Sequence, residues 1–277
     1  MIAFEIWDIK VYWYGIFYLI TFLFGYGFLY IISRKGLKWY PEIASFLQKY
    51  LDDLIIYIFA WVVIWGRLGE VLIYNLDYYI SYPSQIFAIW NGGMSFVGGF
   101  VGVMMAIFLF GYIYKLKFYH LLIIFDLICL ILPLGIFLGR WGNHLNQELY
   151  GKVVDSKSIW PSYFQLFRGL DLITIYNNID NQLRWNNNLF EMIFEWLMIL
   201  WINFLIFIKK VWYGIWKPGI ITWLFCVLYS IIRFILETLR DNPPNEYFYG
   251  ILKSQIWMIP LFLLGLWLIS SRRTLHR

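Results

Sequence analysis

Long apolar runs, broken by short polar stretches, dominate the chain. A helix that crosses a bilayer needs roughly 20 mostly apolar residues. Seven segments meet or nearly meet that need: 11–33, 51–73, 93–114, 119–139, 189–208, 218–239 and 255–271. The pattern predicts an all-α, polytopic membrane protein with about seven transmembrane helices. No internal repeat or low-complexity tract breaks the series, so a single transmembrane domain over 1–277 is expected. The long polar stretch at about 151–188 is Asn-rich and aromatic, and it predicts a small external cap. Glu5 and Asp8 precede the first apolar run, with no basic region and no small-residue cleavage site after it. That run therefore reads as a retained helix rather than a signal peptide.

Composition strengthens the membrane reading. Of 277 residues, 61% are hydrophobic and 14% charged, against about a quarter charged in soluble domains. Mean hydropathy is +0.65. So little polar surface cannot cover a soluble core of this size, whereas a lipid-facing exterior needs none. The 16 Trp and 22 Tyr suit the aromatic belts at headgroup level. Cys129 and Cys226 each lie inside an apolar run without metal-ligand spacing, and read as small packing residues.

The net charge of +5 is sorted by connection, which points to topology and away from nucleic acid. Arg34, Lys35, Lys38 and Lys49 lie in the first connection, Lys115 and Lys117 in the third, and Lys209, Lys210 and Lys217 in the fifth. Arg272, Arg273 and Arg277 lie in the tail, while 74–92 has no Lys or Arg. By the positive-inside rule the odd connections and the C-terminus are cytoplasmic. The N-terminus and the long fourth connection then lie outside.

Charges at membrane depth cost a few kcal/mol or more and face protein interiors or watery cavities. Arg67 and Glu70 sit late in the second span; Asp126 lies early in the fourth, which Arg140, Asn143 and Glu148 close. At about 3.6 residues per turn, Tyr229, Arg233, Glu237 and Arg240 share one face of the sixth span. Arg140 and Asn143 share another. The structural alternative is ion pairing: Arg233 with Glu237, and Arg67 with Glu70. Three intramembrane arginines exceed what pairing needs. Guanidinium forks match phosphate geometry, so an anionic lipid headgroup is the expected ligand. The glycines of NGGMSFVGGFVG (91–102), Gly98 and Gly99 among them, permit close approach to a headgroup or to another helix. Without other signals, helix packing is the favoured reading.

These segments together resemble the prolipoprotein diacylglyceryl transferase family. GRWGNHLNQELYG (139–151) is similar to the family signature Gly-Arg-x-Gly-Asn-Phe-x-Asn-x-Glu. WYGIFY (13–18), GRLGEVLIYN (66–75), GGMSFVGG (92–99), RFILETLR (233–240) and SQIWMIP (254–260) match in family order. The resemblance implies transfer of diacylglyceryl from phosphatidylglycerol to the lipobox cysteine of a prolipoprotein, forming a thioether and releasing glycerol phosphate. It implies a bacterial cytoplasmic (inner) membrane location, reaction at the outer face, and no metal or organic cofactor. Arg140, Arg233, Asn143, Glu148 and Tyr14 are the implied catalytic residues. Tyr229, Glu237, Arg240, Arg67, Gly98 and Gly99 join Arg140 and Asn143 in substrate binding. Tyr14 is expected to hydrogen-bond near the headgroup and Glu148 to orient an arginine. Arginines near the attacking thiol would lower its pKa.

Two departures stand out. The family often has His after Gly-Met-Ser-Phe; here the position is Val97, which accepts no proton. His144, where the signature has Phe, is the candidate replacement base. WNNNLFEMIFEW (185–196) replaces the family's His-Pro-Ser-Gln-Leu-Tyr-Glu, keeping Leu189, Glu191 and Glu195, of which only Glu191 is carried over to the site. The alternatives are an anionic-lipid transporter or scramblase, which the missing repeats disfavour, or a degenerate lipid-binding homologue. A retinal photoreceptor would need a lysine within the last span, 255–271, which has none.

Overall fold

Helices occupy all seven apolar segments, and the polar ends between them carry three short hairpins that the hydrophobic pattern does not announce. The structure, a computed structural model, describes residues 2–6, 9–37, 40–89, 92–155, 161–176, 179–213, 217–243 and 247–271. Lys38, Asn91 and the tail residues Arg272, Arg273 and Arg277 lie outside them.

The elements run β1 (Ile2–Ile6), β2 (Ile9–Tyr12), α1 (Trp13–Lys35), α2 (Pro41–Gly69), α3 (Leu76–Ser81), α4 (Phe96–Ile113) and α5 (Phe118–Leu145). Then come α6 (Pro161–Gly169), β3 (Ile173–Ile175), β4 (Leu183–Trp185), α7 (Asn187–Glu191), α8 (Ile199–Tyr213), α9 (Ile220–Leu236), β5 (Tyr247–Phe248), β6 (Ile251–Leu252) and α10 (Lys253–Ser271). Each strand pair is an antiparallel two-stranded hairpin. Two π-helical stretches, Glu70–Tyr74 and Met192–Met198, continue α2 and α7 without a break.

Among the described residues, five helices are long and apolar enough to cross a membrane: Trp13–Lys35, Pro41–Tyr74, Phe118–Leu145, Asn187–Lys209 and Ile220–Leu239. The apolar helices Val97–Ile113 and Lys253–Leu268 are shorter. Large apolar side chains such as Leu23, Phe59, Leu205 and Leu263 stand more than half exposed, as a lipid-facing surface requires. The protein is an all-α membrane protein.

The chain packs as two compact units: Tyr26–Phe125, and Met1–Gly25 with Asp126–Arg277. In the first, α2 and α4 pack so closely that a Cβ on Gly98 or Gly102 would strike the carbonyls of Trp65 and Trp61. Gly98 therefore stands where two helices pack closest, as small-residue packing requires. Gly99 has ordinary room, its added Cβ standing 3.9 Å from Val62. The Ser95 hydroxyl caps α4, accepting from the Gly98 amide at 3.1 Å.

Arg67 and Glu70 do not form the expected ion pair. The Arg67 guanidinium donates to the carbonyls of Ile86 (2.9 Å), Gly93 (2.9 Å), Gly92, Gln85 and Ala88. It also lies over the Tyr79 ring. Glu70 accepts instead from the Asn75 amide at 2.6 Å. A loop with few regular hydrogen bonds leaves carbonyls unsatisfied, and a buried guanidinium is well suited to collect them.

In the second unit, Asp126 is fully buried on α5 and holds the start of α9. Its carboxylate accepts from the amides of Gly219 and Thr222, both at 2.8 Å, and from the Thr222 hydroxyl at 2.7 Å. A carboxylate facing exposed amides at a helix N-terminus is favoured by hydrogen bonding and by the helix dipole. The polar stretch after α5 folds into α6 and the β3–β4 hairpin. Arg184 on β4 clasps it, donating to the Gly151 carbonyl (3.1 Å) and Asp241 (2.7 Å), pairing with Asp180 and stacking on Tyr150. The hydrogen bonds from Arg184 hold the Asp180 carboxyl below the usual carboxylate range. Burial pushes the Tyr176 hydroxyl up to about 12.

Candidate active site

The second unit gathers the charges of α5, α7 and α9 into one buried cluster. Glu191 ends α7, Glu195 lies one turn further in the π-helical stretch, and neither has any exposed surface. Arg140, near the end of α5, places its Nε 2.9 Å from Glu191 Oε2 and 3.3 Å from Glu195 Oε2. Arg233 on α9 directs Nη1 to the same two carboxylates, bonding Glu191 closely and reaching Glu195 Oε1 at 3.4 Å. Its Nη2 pairs with Glu237 at 2.7 Å, and Glu237 pairs with Arg240 at 3.1 Å. Asn187 adds a hydrogen bond to Glu191 at 2.9 Å.

The expected Arg233–Glu237 pair is thus present, but as one link in a longer chain. A buried carboxylate without partners would pay a desolvation penalty of several kcal/mol; between two guanidiniums that penalty is offset. Here three carboxylates meet three guanidiniums.

Arg140 differs from Arg233 in what it leaves free. Only its Nε is engaged; no hydrogen bond or ion pair from another described residue reaches Nη1 or Nη2. Its side chain keeps 13% exposure. The inner edge of the fork is anchored and the outer edge is open, a geometry that presents two N–H groups to an incoming anion.

One turn on, Asn143 meets Tyr14 from α1. The Tyr14 hydroxyl lies against Asn143 Oδ1 and 3.1 Å from Glu148 Oε2. Glu148 also accepts from the Asn146 amide at 3.0 Å. Glu148 therefore holds a tyrosine and an asparagine, and the arginines are oriented by Glu191 and Glu195. This corrects the role expected for Glu148. The reason is position: Glu148 lies beyond the end of α5, whereas α7 runs beside α9 and brings its carboxylates between the arginines. Tyr229 is 1% exposed and stacks on Phe225, with centroids 5.6 Å apart. His144 lies one turn beyond Arg140, and its buried Nδ1 has no hydrogen-bond partner among the described residues.

The structure thus brings Tyr14, Arg140, Asn143, Glu148, Arg233, Glu237 and Arg240 into one unit. Arg67, Gly98, Gly99 and Val97 belong to the other unit. Glu195 was passed over, yet it contacts both central arginines. Its signal was present: two glutamates four apart in an otherwise apolar helical run share a face. Asn188 was missed too; its amide donates to the Glu148 carbonyl at 2.7 Å and fastens the end of α5.

An all-α membrane protein with a buried guanidinium cluster, one fork of it open, defines a membrane protein equipped to handle an anionic group. Comparison with known proteins sharpens that class. The model of the prolipoprotein diacylglyceryl transferase family matches residues 1–271, and the chain belongs to that family. Among curated relatives, the phosphatidylglycerol–prolipoprotein diacylglyceryl transferase of Francisella tularensis subsp. mediasiatica (strain FSC147) is 34% identical over 270 residues. That of F. tularensis subsp. novicida (strain U112) is 33% identical over the same length. Both alignments cover 95% of this chain and 90% of the relative. The chain is a transferase, and the transporter and degenerate-homologue readings are not favoured.

Proposed function

We propose that this protein transfers diacylglyceryl from phosphatidylglycerol to the lipobox cysteine of prolipoproteins, with Arg140 as the principal headgroup ligand. The observation that carries the reading is the half-engaged Arg140 fork, anchored by Nε and open at Nη1 and Nη2. The substrate thiolate attacks the glyceryl carbon bearing the phosphate, forming the C–S bond. The C–O bond breaks, its electron pair stays on the phosphate oxygen, and glycerol phosphate leaves. The phosphate gains negative charge as the diester becomes a monoester. Preorganised donors in a water-poor site stabilise that gain. Arg140 supplies them directly, Arg233 from the inner side of the cluster, and Asn143 from the turn that Tyr14 and Glu148 hold in place.

Tyr229, Glu237 and Arg240 complete the binding wall, and His144 is the nearest imidazole to the arginine fork along the helix. Arg67 keeps the loop before α4 in shape, and Gly99 on α4 leaves room for an acyl or headgroup contact. The seven apolar helices form one membrane domain in the bacterial inner membrane, with the N-terminus outside and the C-terminus cytoplasmic. The insertion at 151–188 then forms an external cap over the site.

The test is diacylglyceryl transfer by purified Arg140→Gln. Loss of about 10²–10³-fold in turnover, with fold and phosphatidylglycerol-independent stability retained, is expected. Wild-type rates in that variant would remove Arg140 from the mechanism.

A further inference from the structure

The charge count of the cluster has a consequence for ligand binding. Arg140, Arg233 and Arg240 face Glu191, Glu195 and Glu237, three positive groups against three negative ones, with no net charge. A phosphodiester that engages the arginines brings one further negative charge into a region where two of the carboxylates have no exposure. In such surroundings an uncompensated charge is neutralised by protonation. The cluster therefore needs a proton along with its anion.

The contacts single out which carboxylate takes it. Glu191 Oε1 accepts closely from Arg233 and from the Asn187 amide at 2.9 Å, and its Oε2 is paired with Arg140 at 2.9 Å. Glu237 has Arg233 at 2.7 Å, Arg240 at 3.1 Å and the Asn242 amide at 3.5 Å. Glu195 has only long contacts, 3.3 Å to Arg140 and 3.4 Å to Arg233. Both of its partners are the arginines that a phosphate would draw on. Its other ionisable neighbours are Glu191, one turn away on the same two arginines, and Tyr229 of α9; the first carries the same sign of charge and the second is neutral near pH 7, so neither replaces a lost counter-charge.

We propose that Glu195 is a ligand-linked proton site: it binds one proton when a phosphodiester headgroup occupies the Arg140–Arg233 pair. The inference rests on the headgroup assignment above and adds to it the partner that balances the charge. It makes headgroup affinity fall as pH rises, by up to about tenfold per pH unit. The phosphodiester itself has no group that titrates near neutral pH, so the group that takes the proton lies on the protein.

The experiment is calorimetric titration of the full chain, in micelles, with phosphatidylglycerol diluted in phosphatidylcholine, repeated in buffers of different ionisation heat. Wild type is expected to take up close to one proton on binding, with affinity that weakens with pH. Glu195→Gln, which keeps the shape and removes the titration, is expected to bind without proton uptake and with a flat pH profile. His144→Phe, which leaves the charge count unchanged, is expected to retain the uptake. Binding by wild type without proton uptake overturns the inference and leaves the headgroup site standing, as does uptake that persists in Glu195→Gln or vanishes in His144→Phe. No binding of phosphatidylglycerol by folded wild type overturns both. Where Glu195→Gln fails to fold, Glu195→Asp serves in its place, and uptake with an unaltered pH profile in that variant overturns the assignment.

Discussion

At the level of single residues, geometry separates side chains that resemble one another in sequence. Arg67, Arg140 and Arg233 are all intramembrane arginines, but Arg67 directs its donors to backbone carbonyls and Arg233 turns Nη1 and Nη2 to carboxylates. Arg140 alone of the three keeps its outer edge open. Arg140→Lys keeps the charge but loses the fork, and turnover should fall at least tenfold in a transfer assay, because a single ammonium cannot offer two parallel donors. Tyr14→Phe removes the hydroxyl that meets Asn143 and Glu148. It should lower turnover about tenfold while leaving the thermal transition within about 1–2 kcal/mol of wild type, the worth of one hydrogen bond. A rate unchanged in Tyr14→Phe would remove the Tyr14–Asn143 contact from the mechanism.

Elements contribute through their ends and their close contacts. Asn203 lies fully buried in α8, and neither end of its amide has a partner among the described residues. Replacing it with Leu removes an unsatisfied polar group from apolar surroundings and should stabilise the protein by about 1–3 kcal/mol, read as a raised unfolding temperature in detergent. Gly98→Ala should do the opposite: its methyl would meet the Trp65 carbonyl, and α2 and α4 would have to part, at about 1–3 kcal/mol. In the insertion, Asp180 is held below the ordinary carboxylate range by Arg184. A lowered folded-state value stabilises fully above the ordinary carboxylate pKa and loses its effect as pH falls through the folded-state value. Asp180→Asn should therefore lower the unfolding temperature at neutral pH, and the gap to wild type should close in acid.

Across the whole molecule, the helices were legible because lipid imposes one rule on every spanning segment: a long apolar run with its backbone bonded internally. All seven apolar segments are helical, but of the series expected on one face of the sixth span only Tyr229 and Arg233 lie on α9; Glu237 follows in a 3-10 turn and Arg240 is extended, reached by Glu237 through an ion pair. The hairpins were not legible. Strands of two to five residues carry too little alternation to stand out from loops. Pairings distant in sequence were also hidden. Arg67 was matched to Glu70 because they are neighbours on one helix, and nothing local reveals that carbonyls of residues 85–93 need its donors. Glu148 stands near Arg140 in sequence in the same way, and nothing local reveals that α7 and the π-helical stretch after it bring Glu191 and Glu195 between Arg140 and Arg233. The departure at 185–196, which marked that stretch as divergent, holds the base of the site: Asn187 on Glu191, and Asn188 on the end of α5.

The most direct test of the account is product analysis with the purified full chain, phosphatidylglycerol and a lipobox peptide, in paired reactions with Cys or Ser at the acceptor position. The account predicts a peptide mass gain of one diacylglyceryl group on the Cys peptide alone, with glycerol phosphate released in equal amount and both lost in Arg140→Ala. A folded protein that binds phosphatidylglycerol but yields neither product, or that modifies both peptides alike, would contradict it.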